Sequence, residues 1–216
     1  MIEARNITKT FDGLEVLKGV DLTIGAHEIV GVVGPSGAGK TTLLQILGTL
    51  MTPDGGSLTY DGVSPLGLSG SKLAEFRNRT IGFVFQFHQL LPEFSLIENV
   101  ALPALIGGVS RSEAFKSARK LTDYMGLSHR EDHKPAQLSG GERQRAAVAR
   151  ALVRNPKVVL ADEPSGSLDS QNRAELHKLF FELRRDLGQT FVIVTHDDTL
   201  AESADRIVRM ADGRIV

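Results

Sequence analysis

The sequence of 216 residues predicts an α/β protein with a mainly parallel sheet, an antiparallel β region near its N-terminus and an inserted helical subdomain. Three observations lead to this fold class. Short apolar runs that end on polar residues are typical of buried parallel strands. Helix-forming segments separate these runs, as βαβ units require. A mainly helical stretch over about 87–137 interrupts the pattern, and apolar strands resume after it.

Composition narrows the class of protein. Hydrophobic residues make up 41% of the chain, which is enough for a sizeable core, and the net charge of −1 gives no electrostatic reason to expect a nucleic-acid partner. The absence of cysteine fits a reducing compartment. The sequence starts without a signal-peptide pattern, and no apolar run approaches the ~20 residues of a membrane helix. We therefore expect a soluble chain that reaches a membrane only through a partner.

The first third of the sequence mixes small antiparallel strands with one βα unit. Alternation over 2–10 predicts an edge strand, and 15–24 predicts a second strand after a turn. The run 28–33 is apolar and predicts a buried parallel strand, followed by a helix over 42–47. A turn at 52–56 then precedes a short strand at 57–60.

The remaining two thirds alternate between helices and strands. Capping boxes at Ser95 and Ser110 predict two helix starts within the inserted stretch. The other predicted elements are a helix near 72–79, strands at 81–86, 158–161 and 191–194, helices from 138 to 154 and from 169 to 188, and a strand pair around 211–213. The predicted organisation is a single domain of residues 1–216, with a core of 1–86 and 138–216 and a helical subdomain at about 87–137.

A phosphate-binding loop lies between the strand at 28–33 and its helix. The sequence fits G-x-x-x-x-G-K-[ST] without a mismatch. Glycines let backbone amides approach a phosphate, and the helix that follows directs its free N–H groups to the same point. We expect the nucleotide to contact Gly34, Pro35, Ser36, Gly37, Ala38, Gly39, Lys40, Thr41 and Thr42. Lys40 supplies a cation for the outer phosphates, and the Thr41 hydroxyl is a ligand for Mg²⁺.

Three further strands end on polar residues that suit phosphate chemistry. The strands at 81–86, 158–161 and 191–194 are followed or ended by Gln86, by Asp162 with Glu163, and by His196. Ligands of an open parallel sheet bind beyond the carboxyl ends of its strands. We expect Asp162 and Gln86 to share a Mg²⁺ ion with Thr41, and Glu163 to orient or deprotonate the attacking water.

A second candidate anion site lies at Ser139, Gly140 and Gly141. A small polar cap and bare glycines open a helix there, so its N-terminus is suited to a phosphate. One chain already has a complete phosphate loop, and a surplus site suggests that this one serves the nucleotide of another chain. The alternative is a well-capped helix without a ligand. Another open alternative concerns the apolar cluster at 87–94, which is either core or a docking surface.

With these residues in place, the chain resembles the ATP-binding cassette (ABC) ATPases over essentially its whole length. The matching motifs are Walker A at Gly34–Thr41, the Q-loop at Gln86, the signature Leu138–Glu142, Walker B at Val159–Glu163, the D-loop Ser167–Asp169, the H-loop at His196 and an aromatic residue, Phe11, at the adenine-stacking position. The resemblance implies a P-loop NTPase fold of the ABC type. It also implies ATP and Mg²⁺ as ligands, with Phe11 and Asp169 in the nucleotide site.

The resemblance also implies a mechanism and partners. Two chains would form a head-to-tail homodimer, with two ATP molecules between Walker A of one chain and Ser139–Gly141 of the other. Glu163 would act as the base, supported by His196. Gln86 and the helical subdomain would dock on separate integral membrane permease subunits, placing the chain peripherally at the cytoplasmic face of the inner membrane.

Within the family, the segments Phe85–Pro92 and Asn99–Pro103 are similar to the ATPases of lipoprotein-releasing systems, the LolD type. The same branch includes macrolide-efflux and cell-division ATPases, so peptide or macrolide efflux and mechanical work in division are the alternative functions. An ABC ATPase that acts on DNA or ribosomes is disfavoured, because there is no coiled-coil insertion and only one cassette. A binding module without hydrolysis would be expected to lose Glu163 or His196, and the chain has both.

Overall fold

The structure is a computed structural model that describes residues 1–216, apart from the side chain of Asp198. Its main sheet has the strand order β5-β6-β7-β3-β8-β9 in the described chain. These strands are β3 (Ile29–Val33), β5 (Ile81–Phe85), β6 (Val158–Asp162), β7 (Phe191–Val194), β8 (Arg206–Ala211) and β9 (Arg214–Ile215). All pairs are parallel except β8 with β9, which confirms the predicted mainly parallel sheet.

The strand registers bring the carboxyl ends of four neighbouring strands level with one another. Phe85 pairs with Asp162, Asp162 pairs with Val194, and Val194 pairs with Val32. The residues that follow each strand therefore emerge at the same edge of the sheet, where ligands of open α/β sheets bind.

A second, antiparallel sheet has the order β2-β1-β4 and consists of β1 (Ile2–Phe11), β2 (Leu14–Ile24) and β4 (Gly55–Tyr60). The prediction of an edge strand at 2–10 was wrong, because β1 is the central strand of this sheet and pairs with β2 on one side and with β4 on the other. Its alternation reflects one face packed on the core, a property that central and edge strands of an antiparallel sheet share.

The helices largely follow the predicted starts and stops. They are α1 (Lys40–Leu47), α2 (Gly70–Thr80), α3 (Leu96–Ile106), α4 (Arg111–Tyr124), α5 (Gly140–Leu152), α6 (Ser170–Leu187) and α7 (Asp198–Ser203). Ser95 forms a complete capping box with Glu98, whereas Ser110 caps its helix without the reciprocal bond from Glu113 to the backbone. Helix α7 was not predicted. Its six residues span less than two turns, too short for a hydrophobic period to be recognised.

The core is built on both faces of the main sheet. Along β6, Val159 and Ala161 pack towards helices α3 to α6, while Val158 and Leu160 pack towards α1 and the antiparallel sheet. Successive side chains of a strand point to opposite faces, so a strand that is buried on both sides is apolar throughout. None of the helices in the described residues has the length and apolarity to span a lipid bilayer.

Candidate active site

The phosphate loop connects β3 to α1 in a backbone conformation that requires its glycines. Gly34 has φ +153° and Gly39 has φ +95°. A Cβ atom at Gly34 would lie 2.1 Å from the carbonyl oxygen of Met210, and one at Gly39 would lie 2.7 Å from a methyl group of Leu17. The loop therefore fits against β8 and β2 only without side chains at these two positions.

The start of α1 is arranged to receive an anion. Lys40 is its first residue, and no side chain of the described part of the protein caps it. The N–H groups of its first turn therefore point, unpaired by a cap, into the loop. The Lys40 ammonium group donates to the carbonyl groups of Gly34 at 2.8 Å and of Pro35 at 3.0 Å. These contacts hold the positive charge directly over the loop.

A hydroxyl and a carboxylate meet beside the loop. The Thr41 Oγ1 atom, in α1, donates to Oδ1 of Asp162, the last residue of β6, at 3.4 Å. Burial raises the pKa of Asp162, and the neighbouring Glu163 carboxylate adds to this shift. The fold thus disfavours the ionised form of Asp162, and a bound cation would relieve this cost.

Glu163 and His196 form a pair at the ends of β6 and β7. The Nδ1 atom of His196 lies 2.8 Å from Oε2 of Glu163, and the His196 backbone N–H donates to the same oxygen at 3.4 Å. Glu163 has φ +47°, a left-handed conformation that is uncommon for residues other than glycine. Its own N–H donates to Val194 O, which helps to hold this conformation.

Gln86 follows β5 and faces the same space. Thr41, Gln86, Asp162 and Glu163 line one cavity of about 280 Å³. The Gln86 side chain lies against Gly166, where an added Cβ would come within 2.9 Å of its amide nitrogen. The structure therefore brings together the candidate residues from the ends of β3, β5, β6 and β7.

The signature residues lie elsewhere in the chain. Ser139 caps α5 by accepting a hydrogen bond from the Glu142 N–H, and its own N–H donates to the Glu142 carboxylate at 2.7 Å. This backbone bond, with further bonds from the Ser139 hydroxyl and Arg130, lowers the pKa of Glu142. Within the described residues, no hydrogen bond or ion pair joins Ser139, Gly140 or Gly141 to the 34–42 loop.

Asp169 caps α6 and is tied to the signature through Asn172. Its carboxylate accepts hydrogen bonds from the Asn172 backbone at 2.9 Å and from the Asn172 side chain at 2.6 Å, and these bonds lower the pKa of Asp169. A Cβ at Gly141 would lie 2.0 Å from Asn172 Oδ1. Asn172 was not predicted as a site residue, although its position three residues after an N-cap Asp was a usable signal.

Phe11 ends β1 on the hairpin beside the phosphate loop. Its ring is 40% exposed, and Lys9 Nζ lies 5.6 Å from the ring centre. Leu17, on the partner strand β2, is the residue that Gly39 approaches. The hairpin thus presents an aromatic face on the side of the molecule that carries the loop.

Comparisons with known proteins agree with this geometry. A protein-family model described as ABC transporter matches residues 17–166. The chain is 62% identical to the lipoprotein-releasing system ATP-binding protein LolD of Porphyromonas gingivalis, over 99% of this chain and 97% of that protein. It is 59% identical to LolD of Bacteroides fragilis over the full length of both.

The fold also matches solved structures of ATP-binding cassettes. The dimeric post-hydrolysis state of the cassette MJ0796 bound to ADP and Pi superimposes with a TM-score of 0.90 at 38% identity, over 100% of this chain and 96% of that one. A second dimeric structure of MJ0796, described as a bacterial ABC transporter cassette, gives the same TM-score at 39% identity. The chain therefore belongs to the ABC transporter family, in which it is an ATP-binding cassette with ATPase activity.

Proposed function

We propose that this chain is the ATP-hydrolysing subunit of a lipoprotein-releasing complex, working as a head-to-tail homodimer on separate membrane subunits. The observation that carries the proposal is that five candidate residues converge where the carboxyl ends of neighbouring strands lie level with one another. These residues are Lys40, Thr41, Asp162, Glu163 and His196. The whole-length similarity to LolD proteins supports lipoprotein release as the work that this ATPase drives.

The residues present fit a Mg²⁺ ion bound together with ATP. Thr41, Asp162 and Gln86 offer a hydroxyl, a carboxylate and an amide around one cavity, and Mg²⁺ prefers such oxygen ligands. Within the described chain no cluster of three His, Cys, Asp or Glu side chains could hold a metal, as expected when most of the ligands are phosphates and waters. Bound there, Mg²⁺ would neutralise charge on the phosphates.

Backbone and side-chain groups of this chain bind the phosphates and activate the water for hydrolysis. The amides of residues 34–42 and Lys40 bind and orient them, with Phe11 stacking on adenine. Glu163 positions the attacking water and accepts its proton, and His196 holds the Glu163 carboxylate at 2.8 Å in the required orientation. The positive φ of Glu163 is the local strain by which the turn after β6 aims this carboxylate.

The second half of each site comes from another copy. Among the described residues, Ser139, Gly140 and Gly141 make no hydrogen bond to the 34–42 loop of their own chain, and the capping box of Ser139 and Glu142 leaves the N–H groups of Gly140 and Gly141 to meet a phosphate from outside. Asp169, linked to Gly141 through Asn172, lies on the same side. The dimeric cassettes of MJ0796 support an assembly of two chains.

The membrane subunits dock near Gln86 and the helical subdomain, which we place at about 87–137 between core segments 1–86 and 138–216. Phe87 is 71% exposed, and Leu91 and Phe94 are also exposed, whereas Leu90 packs on the core. One part of this cluster therefore belongs to the core, and its exposed part forms the docking surface. Docking holds the chain at the cytoplasmic face of the inner membrane.

A variant that binds ATP without hydrolysing it tests the proposal. Glu163→Gln keeps the shape of the side chain and removes its basicity, so we expect it to bind ATP and accumulate as a dimer in the presence of ATP and Mg²⁺. Light scattering coupled to size exclusion measures the mass. The matched control adds Ser139→Arg, which blocks the anion site that each chain offers to the nucleotide of its partner, and it is expected to restore the monomer while nucleotide binding persists. A monomer of Glu163→Gln at saturating ATP would contradict the composite site.

A further inference from the structure

The exit of the Q-loop is fastened to helix α5, the helix that begins at the signature. Arg150, in the last turn of α5, donates to the carbonyl groups of two consecutive residues, Gln89 at 2.7 Å and His88 at 2.8 Å. A planar guanidinium makes such a two-pronged contact, which a lysine ammonium cannot reproduce. We call this contact of Arg150 with the two carbonyl groups the Arg150 clamp. Gln89 has φ +48°, so the backbone that the clamp holds has a left-handed conformation.

Further contacts run along the same helix towards its start. Gln144, in the second turn, is buried and donates to the carbonyl of Phe85 at 3.5 Å. The segment Phe85–Gln89, here called the strap, therefore contacts α5 in its second and last turns.

Beneath the strap, α5 also packs closely on β5, the strand that leads into the strap. Gly82 of β5 faces the backbone of Ala151, and an added Cβ would lie 2.5 Å from the Ala151 carbonyl oxygen. The strap and α5 are thus both attached to β5 at the same place, the end of α5 opposite Ser139. Burial lowers the pKa of Arg150, because its guanidinium is partly removed from water in this position.

We propose that Arg150 is a positioning residue for the signature: by locking the strap onto α5, it sets the position of Ser139 against the nucleotide of the partner subunit. The inference rests on the composite site proposed above. It assigns a direction to the coupling, because force applied at the exposed Phe87 reaches the ATP bound by the other chain through Arg150 and α5. Within the described residues, Arg150 is not part of the lining of the cavity formed by Thr41, Gln86, Asp162 and Glu163.

Mixed dimers separate this role from a structural one. The Lys40→Ala chain alone lacks a working phosphate loop, and the Ser139→Arg chain alone lacks a working signature, so neither variant by itself hydrolyses ATP. A mixed dimer has one intact site, formed by the phosphate loop of the Ser139→Arg chain and the signature of the Lys40→Ala chain. Recovery of ATPase activity on mixing establishes the composite site before Arg150 is changed.

Arg150→Lys is then placed in one chain at a time. In the Lys40→Ala chain, which supplies the working signature, we expect activity to fall about tenfold, the effect of losing a hydrogen bond from a charged donor. In the Ser139→Arg chain, which supplies the working Gln86 and phosphate loop, we expect activity to stay within about twofold. Arg145→Lys is the control on the same helix, since Arg145 pairs with Glu175 and does not contact the strap.

Each other outcome overturns the inference. Equal losses in both chains mean that Arg150 only supports folding. A loss confined to the Ser139→Arg chain means that the clamp serves the Gln86 site of its own chain, and no loss in either means that it positions nothing. If mixing restores no activity at all, the composite site fails and takes this inference with it.

Discussion

At the scale of single residues, two carboxylates of the active site affect the stability of the fold with opposite signs. Burial raises the pKa of Asp162, so the folded protein favours its neutral form, and its charge at neutral pH costs stability. We expect Asp162→Asn to raise the thermal midpoint by a few degrees. We also expect it to lower ATP hydrolysis at least about a hundredfold, the effect of removing a group that stabilises charge during catalysis. Scanning calorimetry without nucleotide and a phosphate-release assay measure the two effects.

Asp169 supplies the opposite sign and therefore the control. Hydrogen bonds from Asn172 lower its pKa, so its charged form is favoured in the folded state and stabilises the protein above the pKa of the unfolded chain. Asp169→Asn is expected to lower the thermal midpoint under the same conditions. If both substitutions shift the midpoint in the same direction, the cost of burying Asp162 is not the cause of its effect.

At the scale of elements, β5 and α5 approach each other closely, backbone against backbone. A Cβ at Gly82 would press within 2.5 Å of the Ala151 carbonyl, and neither backbone can move without shifting a whole element. We expect Gly82→Ala to lower the free energy of unfolding by about 1–3 kcal/mol, as for an overpacked core. Urea titration followed by circular dichroism measures the difference.

The neighbouring strand β3 provides a matched substitution. Gly31 is buried, as Gly82 is, but a Cβ there would lie 3.5 Å from Ala201 and from Ala204, an ordinary contact distance. Gly31→Ala is expected to leave the stability unchanged or to raise it slightly, because alanine restricts the unfolded chain. Equal losses in the two variants would contradict the account of the β5–α5 contact.

Elements of different kinds were predictable to different degrees. The parallel strands, the phosphate loop and the cap at Ser139 were evident in the sequence, since apolar runs, glycine spacing and capping boxes are local signals. The central position of β1 was missed, because strand order depends on the pairing of β1 with β4, which is some fifty residues away. The Arg150 clamp was equally invisible, because it joins residues about sixty positions apart.

At the scale of the whole molecule, the proposed head-to-tail dimer makes each chain half of a catalyst. The 34–42 loop and Ser139 belong to different sites if each site needs two copies, so activity must depend on association. We expect the ATPase rate per chain to rise in proportion to protein concentration well below the dissociation constant of the dimer, so that doubling the concentration gives roughly twice the rate per chain. The rate per chain then levels off as the dimer forms. Phosphate release over a dilution series, with the mass measured in parallel at saturating ATP, follows both quantities.

Two controls make this dependence specific to association. An equal mass of an inert protein should leave the rate unchanged, which excludes adsorption and crowding as causes. Adding the Ser139→Arg chain to dilute wild-type chain should raise the rate, because the added phosphate loops pair with wild-type signatures in mixed dimers. A constant rate per chain across concentrations at which the mass is that of a monomer would mean that one copy holds a complete site. The uncapped N–H groups of Gly140 and Gly141 would then need another explanation.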